Sequence, residues 1–179
     1  MNDKVKWIAR SAAAIALIIA VQLATAGLGQ QLLTGSLVNL ILALTVLLFG
    51  WSSAAAAAVL SPFAAYLLGI NAQILVVPAI AAGNLSYVLV TALLVKLQKK
   101  SRLPETLRSL IAVIAAAVCK FGIQYLLIVK WIAPSFLPPK ALPVMSVSFG
   151  VMQLFTACIG GVLACMICSV VRKGISSRN

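Results

Sequence analysis

Histidine is absent from this chain, and only Asp3 and Glu105 carry a negative charge. Those two scarcities exclude most of the familiar chemistry. A zinc site with histidine ligands, a serine–histidine couple and an aspartate-rich phosphotransfer motif cannot be assembled. No phosphate-cradling Gly-Lys loop is present either. No carboxylate interrupts an apolar stretch, so there is no obvious proton relay. The chain is therefore not read as an enzyme, and no cofactor or metal is expected. Charge of any kind is sparse, at 9% of 179 residues against 63% hydrophobic. A soluble domain of this length needs a far more polar surface.

What is present is a series of apolar runs near the ~20 residues that cross a bilayer. Six are read, at roughly 7–27, 37–50, 52–69, 75–95, 106–130 and 147–170. Gly27-Leu-Gly29 with Thr34-Gly35-Ser36, then Gly50, then Gly69-Ile-Asn71 punctuate the first half. The run Gly27 to Ser36 holds three glycines and no charge, which suits a flexible lid. The segment Trp131 to Met145 holds Pro134, Pro138, Pro139 and Pro143, and reads as an extended, stiff loop. The expected fold is all-α: a compact six-transmembrane-helix bundle forming a single integral membrane domain over 1–179.

The net charge of +12 would suggest nucleic acid in a soluble protein, but here the basic residues sit at the ends of apolar runs. With the N-terminus inside, the inner side carries Lys4, Lys6, Arg10, Lys96, Lys99, Lys100, Arg102, Arg108, Arg172, Lys173 and Arg178. The outer side carries Lys130 and Lys140. Eleven against two is a positive-inside signal, with both termini cytoplasmic. Ala24-Thr25-Ala26 also fits a signal-peptidase site. The long apolar stretch before it favours an uncleaved first helix.

Lys120 stands in the middle of the apolar stretch 110–129, where a charge is costly and usually functional. From mid-span its stem is too short to snorkel to an interface. It either loses its proton, with Gln124 one turn away as a partner, or meets an anion. Other polar side chains recur at similar depth, in the outer half: Gln22, Asn39, Tyr66, Asn84, Tyr87, Tyr125, Gln153 and Thr156. Amides in hydrocarbon must pair or face a cavity. They form either interhelical hydrogen-bond glue or one outward-facing pocket. The pocket reading names Lys120, Gln124, Asn84, Gln153, Asn39 and Tyr87 as ligand-binding.

Small residues mark the inner half. Ala9/Ala13 and Ala12/Ala16 begin small-xxx-small rows in the first helix, and Ala54 to Ala58 cluster in the third. Such rows let helices approach closely, either within the bundle or against another membrane protein. Cys119, Cys158, Cys165 and Cys168 all fall in apolar helices. Cys165-x-x-Cys168 is a weak metal or redox signal, and packing is the plainer reading.

Four strings in order along the spans carry a resemblance. They are Leu33-Thr-Gly-Ser-Leu-Val-Asn39-Leu-Ile-Leu, Leu60-Ser-Pro62-Phe-Ala, Gly83-Asn84-Leu, and Gln153-Leu-Phe-Thr156-Ala-Cys-Ile-Gly160-Gly161. With the size and the alanine rows, the chain resembles the substrate-binding S component of energy-coupling-factor (ECF) vitamin transporters. The resemblance implies a bacterial plasma-membrane protein that binds a vitamin-type ligand in its outer half. It implies partnership with an ECF transmembrane coupling subunit and two cytoplasmic ATPase subunits. In that family the alanine rows of the first helix touch the coupling subunit. The rival readings are a self-sufficient secondary transporter or channel, and a membrane assembly protein without a ligand.

Overall fold

The structure is a computed structural model that describes residues 2–70 and 73–176. Asn71 and Arg178, which entered the loop and charge readings, lie outside the described residues. Six principal helices run through the chain: α1 (Asp3–Ala26), α2 (Gln31–Phe49), α3 (Trp51–Leu67), α4 (Val77–Leu97), α5 (Glu105–Gln124) and α6 (Val151–Ser176). Among the described residues there is no strand.

Five helical stretches are long and apolar enough to cross a membrane: Asp3–Ala26, Gln31–Phe49, Ile74–Lys100, Glu105–Phe136 and Pro139–Gly174. Large apolar side chains line their outer faces, among them Leu17, Leu93, Val118, Phe155 and Val170. So broad an apolar exterior fits a multi-pass membrane protein, whose solvent is lipid. The sixth apolar helix, α3, has 17 residues. At 1.5 Å per residue it is about 25 Å long, a little short of the ~30 Å hydrocarbon core.

The broadest helix contacts are α2 on α6 and α4 on α5, followed by α5 on α6 and α3 on α4. Glycine sets how closely α2 and α6 approach. A Cβ on Gly160 would strike the backbone of α2, at the Ser36 carbonyl and, at 2.6 Å, the Leu40 nitrogen. On the facing helix, a Cβ on Gly35 would lie 2.9 Å from the Thr156 side chain. Thr34-Gly35-Ser36 is thus not a loop. It is part of α2, which starts six residues earlier than the apolar pattern suggests, and its glycine serves packing. Gly160→Leu is expected to cost about 1–3 kcal/mol by overpacking, read as a lower melting temperature in detergent. Gly122→Leu is the control, because a Cβ there meets nothing within 4 Å. Equal melting temperatures for the two variants would contradict this account of the crossing.

The run expected to be a flexible lid is therefore mostly helix. The connection between α1 and α2 spans Gly27 to Gln30 only. It is pinned, too: Thr34 Oγ1 donates to Thr25 Oγ1 at 2.6 Å, and Thr25 Oγ1 donates to the Val21 carbonyl at 2.8 Å. The proline-rich segment also departs from expectation. Beyond Gln124 the helix continues as a π-helix, Tyr125–Ile132, and then as the short helix Ala133–Phe136. A 3₁₀ turn at Pro139–Ala141 and a helix at Leu142–Ser148 follow. Pro139 and Pro143 stand in the first turns of their pieces, where a missing N–H is tolerated, whereas Pro134 lies inside the continuous helix just past the π-stretch. Ile128, Ala133 and Leu137 pack with Val76 and Ala79 into a small apolar cluster that also holds Phe149.

The other end of the bundle is basic. Arg172 pairs with Glu105 and donates to the Leu47 carbonyl at 2.7 Å, joining α6 to α5 and α2. Arg108 donates to the carbonyls of Gln98 and Lys99 at 3.0 and 3.2 Å. A cavity of about 140 Å³ lies beside this clasp, lined partly by Cys165 and Cys168.

The alanine clusters separate into two kinds. In α3, Ala54, Ala57 and Ala58 are fully buried and pack the bundle. In α1, the buried stripe is Ser11, Ala14, Ile18 and Thr25. Ala9, Ala12, Ala13 and Ala16 are all exposed on the other side. Arg10 lies 5.2 Å above the Phe49 ring, folded back onto α2.

Candidate functional site

A cavity of about 280 Å³ lies at the end of the bundle that bears the α1–α2 turn. All six helices bring polar groups to it: Gln22 from α1, Asn39 from α2, Ser61 from α3, Asn84 from α4, Lys120 and Gln124 from α5, and Gln153 from α6. Five of the six residues singled out from the sequence as ligand-binding line this one space. Among the described residues, Lys120 is the only charged one that lines it.

The ammonium of Lys120 is buried and donates to two amide oxygens, Asn39 Oδ1 at 2.6 Å and Asn84 Oδ1 at 2.8 Å. The partner anticipated on its own helix, Gln124, is not the one it uses. Amides reaching across from α2 and α4 are better placed than one stacked a turn away. The orientation of Asn39 is dictated by its surroundings. Its Nδ2 donates to the Gly35 carbonyl at 2.9 Å and to Thr156 Oγ1 at 3.4 Å, which leaves its oxygen to face Lys120. Thr156 in turn donates to the Gln153 carbonyl at 3.1 Å. The donations run in one direction, from Lys120 through Asn39 and Thr156 to the Gln153 carbonyl.

Carbonyl dipoles of this kind solvate an ammonium without cancelling its charge. Glu105 starts the helix that carries Lys120, fifteen residues or about 22 Å away along the axis, and it is held by Arg172. A lysine ammonium has three donors, and two are engaged here.

Tyr87, also expected at the ligand, does not line the cavity. It is fully buried, with its ring centroid 5.8 Å from Lys120 Nζ and its hydroxyl donating to the Ala157 carbonyl at 3.2 Å. It supports the lysine rather than facing the space. Tyr66 does not line the cavity either. Tyr125 stacks with Phe121 at 5.7 Å and receives Lys130 over its ring at 5.6 Å.

Gln124 is fully buried and packs where Gly83 leaves room, since a Cβ at position 83 would overlap its side chain. Its Nε2 donates to the Ile80 carbonyl at 3.5 Å, and its Oε1 has no partner. Gln22 Oε1 and Gln153 Oε1 are likewise buried and unpartnered.

Sequence reasoning missed Gln30, Gln31, Thr34 and Phe149, which rim the cavity. The first three fall in the stretch read as a loop, and Phe149 follows the proline-rich segment. Ser61 and Pro62 also line it. A Ser-Pro pair inside an apolar helix was the available signal, because proline frees a carbonyl one turn back.

Among the described residues, no three His, Cys, Asp or Glu side chains come together as a metal site would need. No protein-family profile, curated protein or solved structure matches the chain.

Proposed function

We propose that this protein is the substrate-binding subunit of an ECF-type importer for a small, anionic, vitamin-like micronutrient. The observation that carries the reading is the polar cavity at one end of the bundle, with Lys120 on its wall and, among the described residues, no carboxylate paired with it. Burying a cation in hydrocarbon is retained where a ligand completes the pair. In this reading α3 is the sixth span, both chain termini face the cytoplasm and the cavity faces outward in a bacterial plasma membrane. The basic end is then the inner one, as the charge bias requires.

Several features support partnership with a coupling subunit and two ATPase subunits. The four strings and the alanine rows resemble the S-component family. Ala9, Ala12, Ala13 and Ala16 form an exposed small-residue face on α1, the kind of surface along which helices associate in lipid. The chain has no nucleotide-binding loop, so energy must come from elsewhere.

The test is uptake. The protein is reconstituted in proteoliposomes alone, and together with a coupling subunit and ATPases from the same cell. Uptake of small molecules that copurify with it is expected only in the complete assembly with ATP. Uptake by the chain alone would instead mark a self-sufficient transporter.

A further inference from the structure

The way the cavity amides are turned says more about the ligand than its charge does. In Gln22 and Gln153 the Oε1 atom is buried against the protein without a partner. The end of each amide left accessible is therefore its NH₂ group, which donates to no acceptor among the described residues. Gln153 is only 6% exposed, so its NH₂ has little but the cavity to face. Lys120 adds a further donor, since two of its three N–H bonds are committed. These unspent donors stand on three helices, α1, α5 and α6. Acceptors are scarcer. The side-chain oxygens of Asn39 and Asn84 already receive Lys120, and Gln124 Oε1 is buried. The Ser61 hydroxyl can serve either way. A ligand that displaces water from this wall without supplying acceptors would leave N–H groups unpaired, which is costly.

Charge narrows the class. Among the described residues, Lys120 is the only charged one at the cavity. A ligand ammonium or guanidinium would lie beside a like charge with no carboxylate to meet it, which a buried site penalises. A phosphate monoester carries nearly two negative charges, and one of them would stay unmatched. One carboxylate balances one ammonium. Val38, Pro62, Ile70, Ile80 and Phe149 supply apolar wall between the polar groups. The volume of about 280 Å³ is at the small end for ligand cavities.

We propose that the ligand is a small monocarboxylate, rich in further hydrogen-bond acceptors and without a basic group. The carboxylate meets Lys120. Carbonyl, ether or ring-nitrogen atoms elsewhere on a compact frame receive the NH₂ groups of Gln22 and Gln153. This rests on the cavity being a ligand site, as proposed above.

The experiment uses whatever the cell supplies. Wild type and Lys120→Gln are purified in parallel in mild detergent, and their bound small molecules are compared by accurate-mass spectrometry. The species enriched with wild type is expected to gain one methyl group on esterification. Its nitrogen and oxygen atoms outside the carboxyl group are expected to outnumber the hydrogens it exchanges there in D₂O. An enriched species with a phosphate, a basic amine, no carboxyl group or two, or a surplus of exchangeable hydrogens would overturn the class while leaving the binding site standing. If nothing is enriched, the purified protein is titrated with three acids of one shape and charge in a thermal-shift assay. Pyrazine-2-carboxylate bears acceptors on its ring, 3,4-diaminobenzoate bears donors, and benzoate bears neither. Pyrazine-2-carboxylate is expected to stabilise most. Equal or greater stabilisation by either of the others would overturn the class, and no stabilisation by any of the three would overturn both the class and the site.

Gln153→Leu gives an independent check. The Gln153 side chain makes no hydrogen bond within the described residues, and its oxygen is buried unpaired. Removing it should not destabilise the empty protein, whereas an amide that glues helices would. The variant is expected to melt at or above the wild-type temperature and to bind the acceptor-bearing acid, enriched or added, at least tenfold more weakly. Affinity within twofold of wild type would overturn the acceptor edge. If the variant instead melts well below wild type, Gln153 belongs to packing, and Gln22→Leu decides the edge by the same affinity criterion.

Discussion

Lys120→Gln is expected to weaken binding of the copurified ligand by about 30-fold or more, the equivalent of 2–5 kcal/mol for leaving a buried ligand anion unpaired. Glutamine is the informative replacement. Methionine would keep the volume but would strand the oxygens of both Asn39 and Asn84, which the ammonium now holds at 2.6 and 2.8 Å. Each stranded buried acceptor costs about 1–3 kcal/mol, so that variant would mix a folding defect with a binding defect. Glutamine still offers N–H donors towards those oxygens, from one bond nearer the backbone, and removes the charge. Its melting temperature in detergent should stay near that of wild type, while calorimetry shows the affinity loss. Affinity within twofold of wild type would mean that the charge of Lys120 does not recognise the ligand.

On the proposed function, Ala13→Trp and Ala16→Trp are expected to abolish uptake by the assembly with a coupling subunit and to leave ligand affinity unchanged. Both alanines are exposed on α1, away from its buried stripe of Ser11, Ala14, Ile18 and Thr25. An indole there holds a partner helix off by several ångströms, roughly a ring's width, and dispersion contact along the seam is lost. The cavity is formed at the opposite end of the bundle and takes only Gln22, Thr25 and Ala26 from α1. Copurification with the coupling subunit should therefore fail while calorimetry on the isolated chain is normal. Ala57→Trp is the contrasting variant. Ala57 is fully buried, so the indole there should damage folding itself. Normal uptake by both α1 variants would remove this face from the docking surface.

The helices were legible because lipid imposes a blunt requirement, a long apolar run for each span. The gathering of polar residues was legible for a related reason: Asn39, Asn84, Gln124 and Gln153 each interrupt such a run at a similar depth. What local pattern could not reveal was which partners meet. Lys120 and Gln124 share a helix face by spacing, yet the ammonium takes oxygens from α2 and α4. That choice is made by the close crossings at Gly35, Gly160 and Gly83, and the first of these glycines was itself misread as a loop signal. Tyr87 has the depth of a ligand residue, but its hydroxyl is turned to the Ala157 carbonyl. Depth along a helix is written in the sequence, whereas rotation about it depends on the neighbours. The prolines after Trp131 misled in the same manner, since proline opens a helix as readily as it breaks one.

The π-helical stretch Tyr125–Ile132 begins directly after Gln124. A π-turn accommodates one residue more than an α-turn, so everything beyond it is out of phase by about one residue, or ~100° around the axis. Lys120 and Gln124 lie before the slip. Ile128 and Ala133, which pack the cluster holding Phe149 at the cavity, lie within and after it. The floor of the cavity and its mouth are thus indexed separately on a single continuous helix. Losing one residue between Tyr125 and Ile132 would restore α-helical winding with the mouth still in its present phase, whereas α winding at unchanged length would swing the mouth by more than a quarter turn, with the charged floor left in place. Helical winding alone can in this way retune what enters, without altering any group that binds.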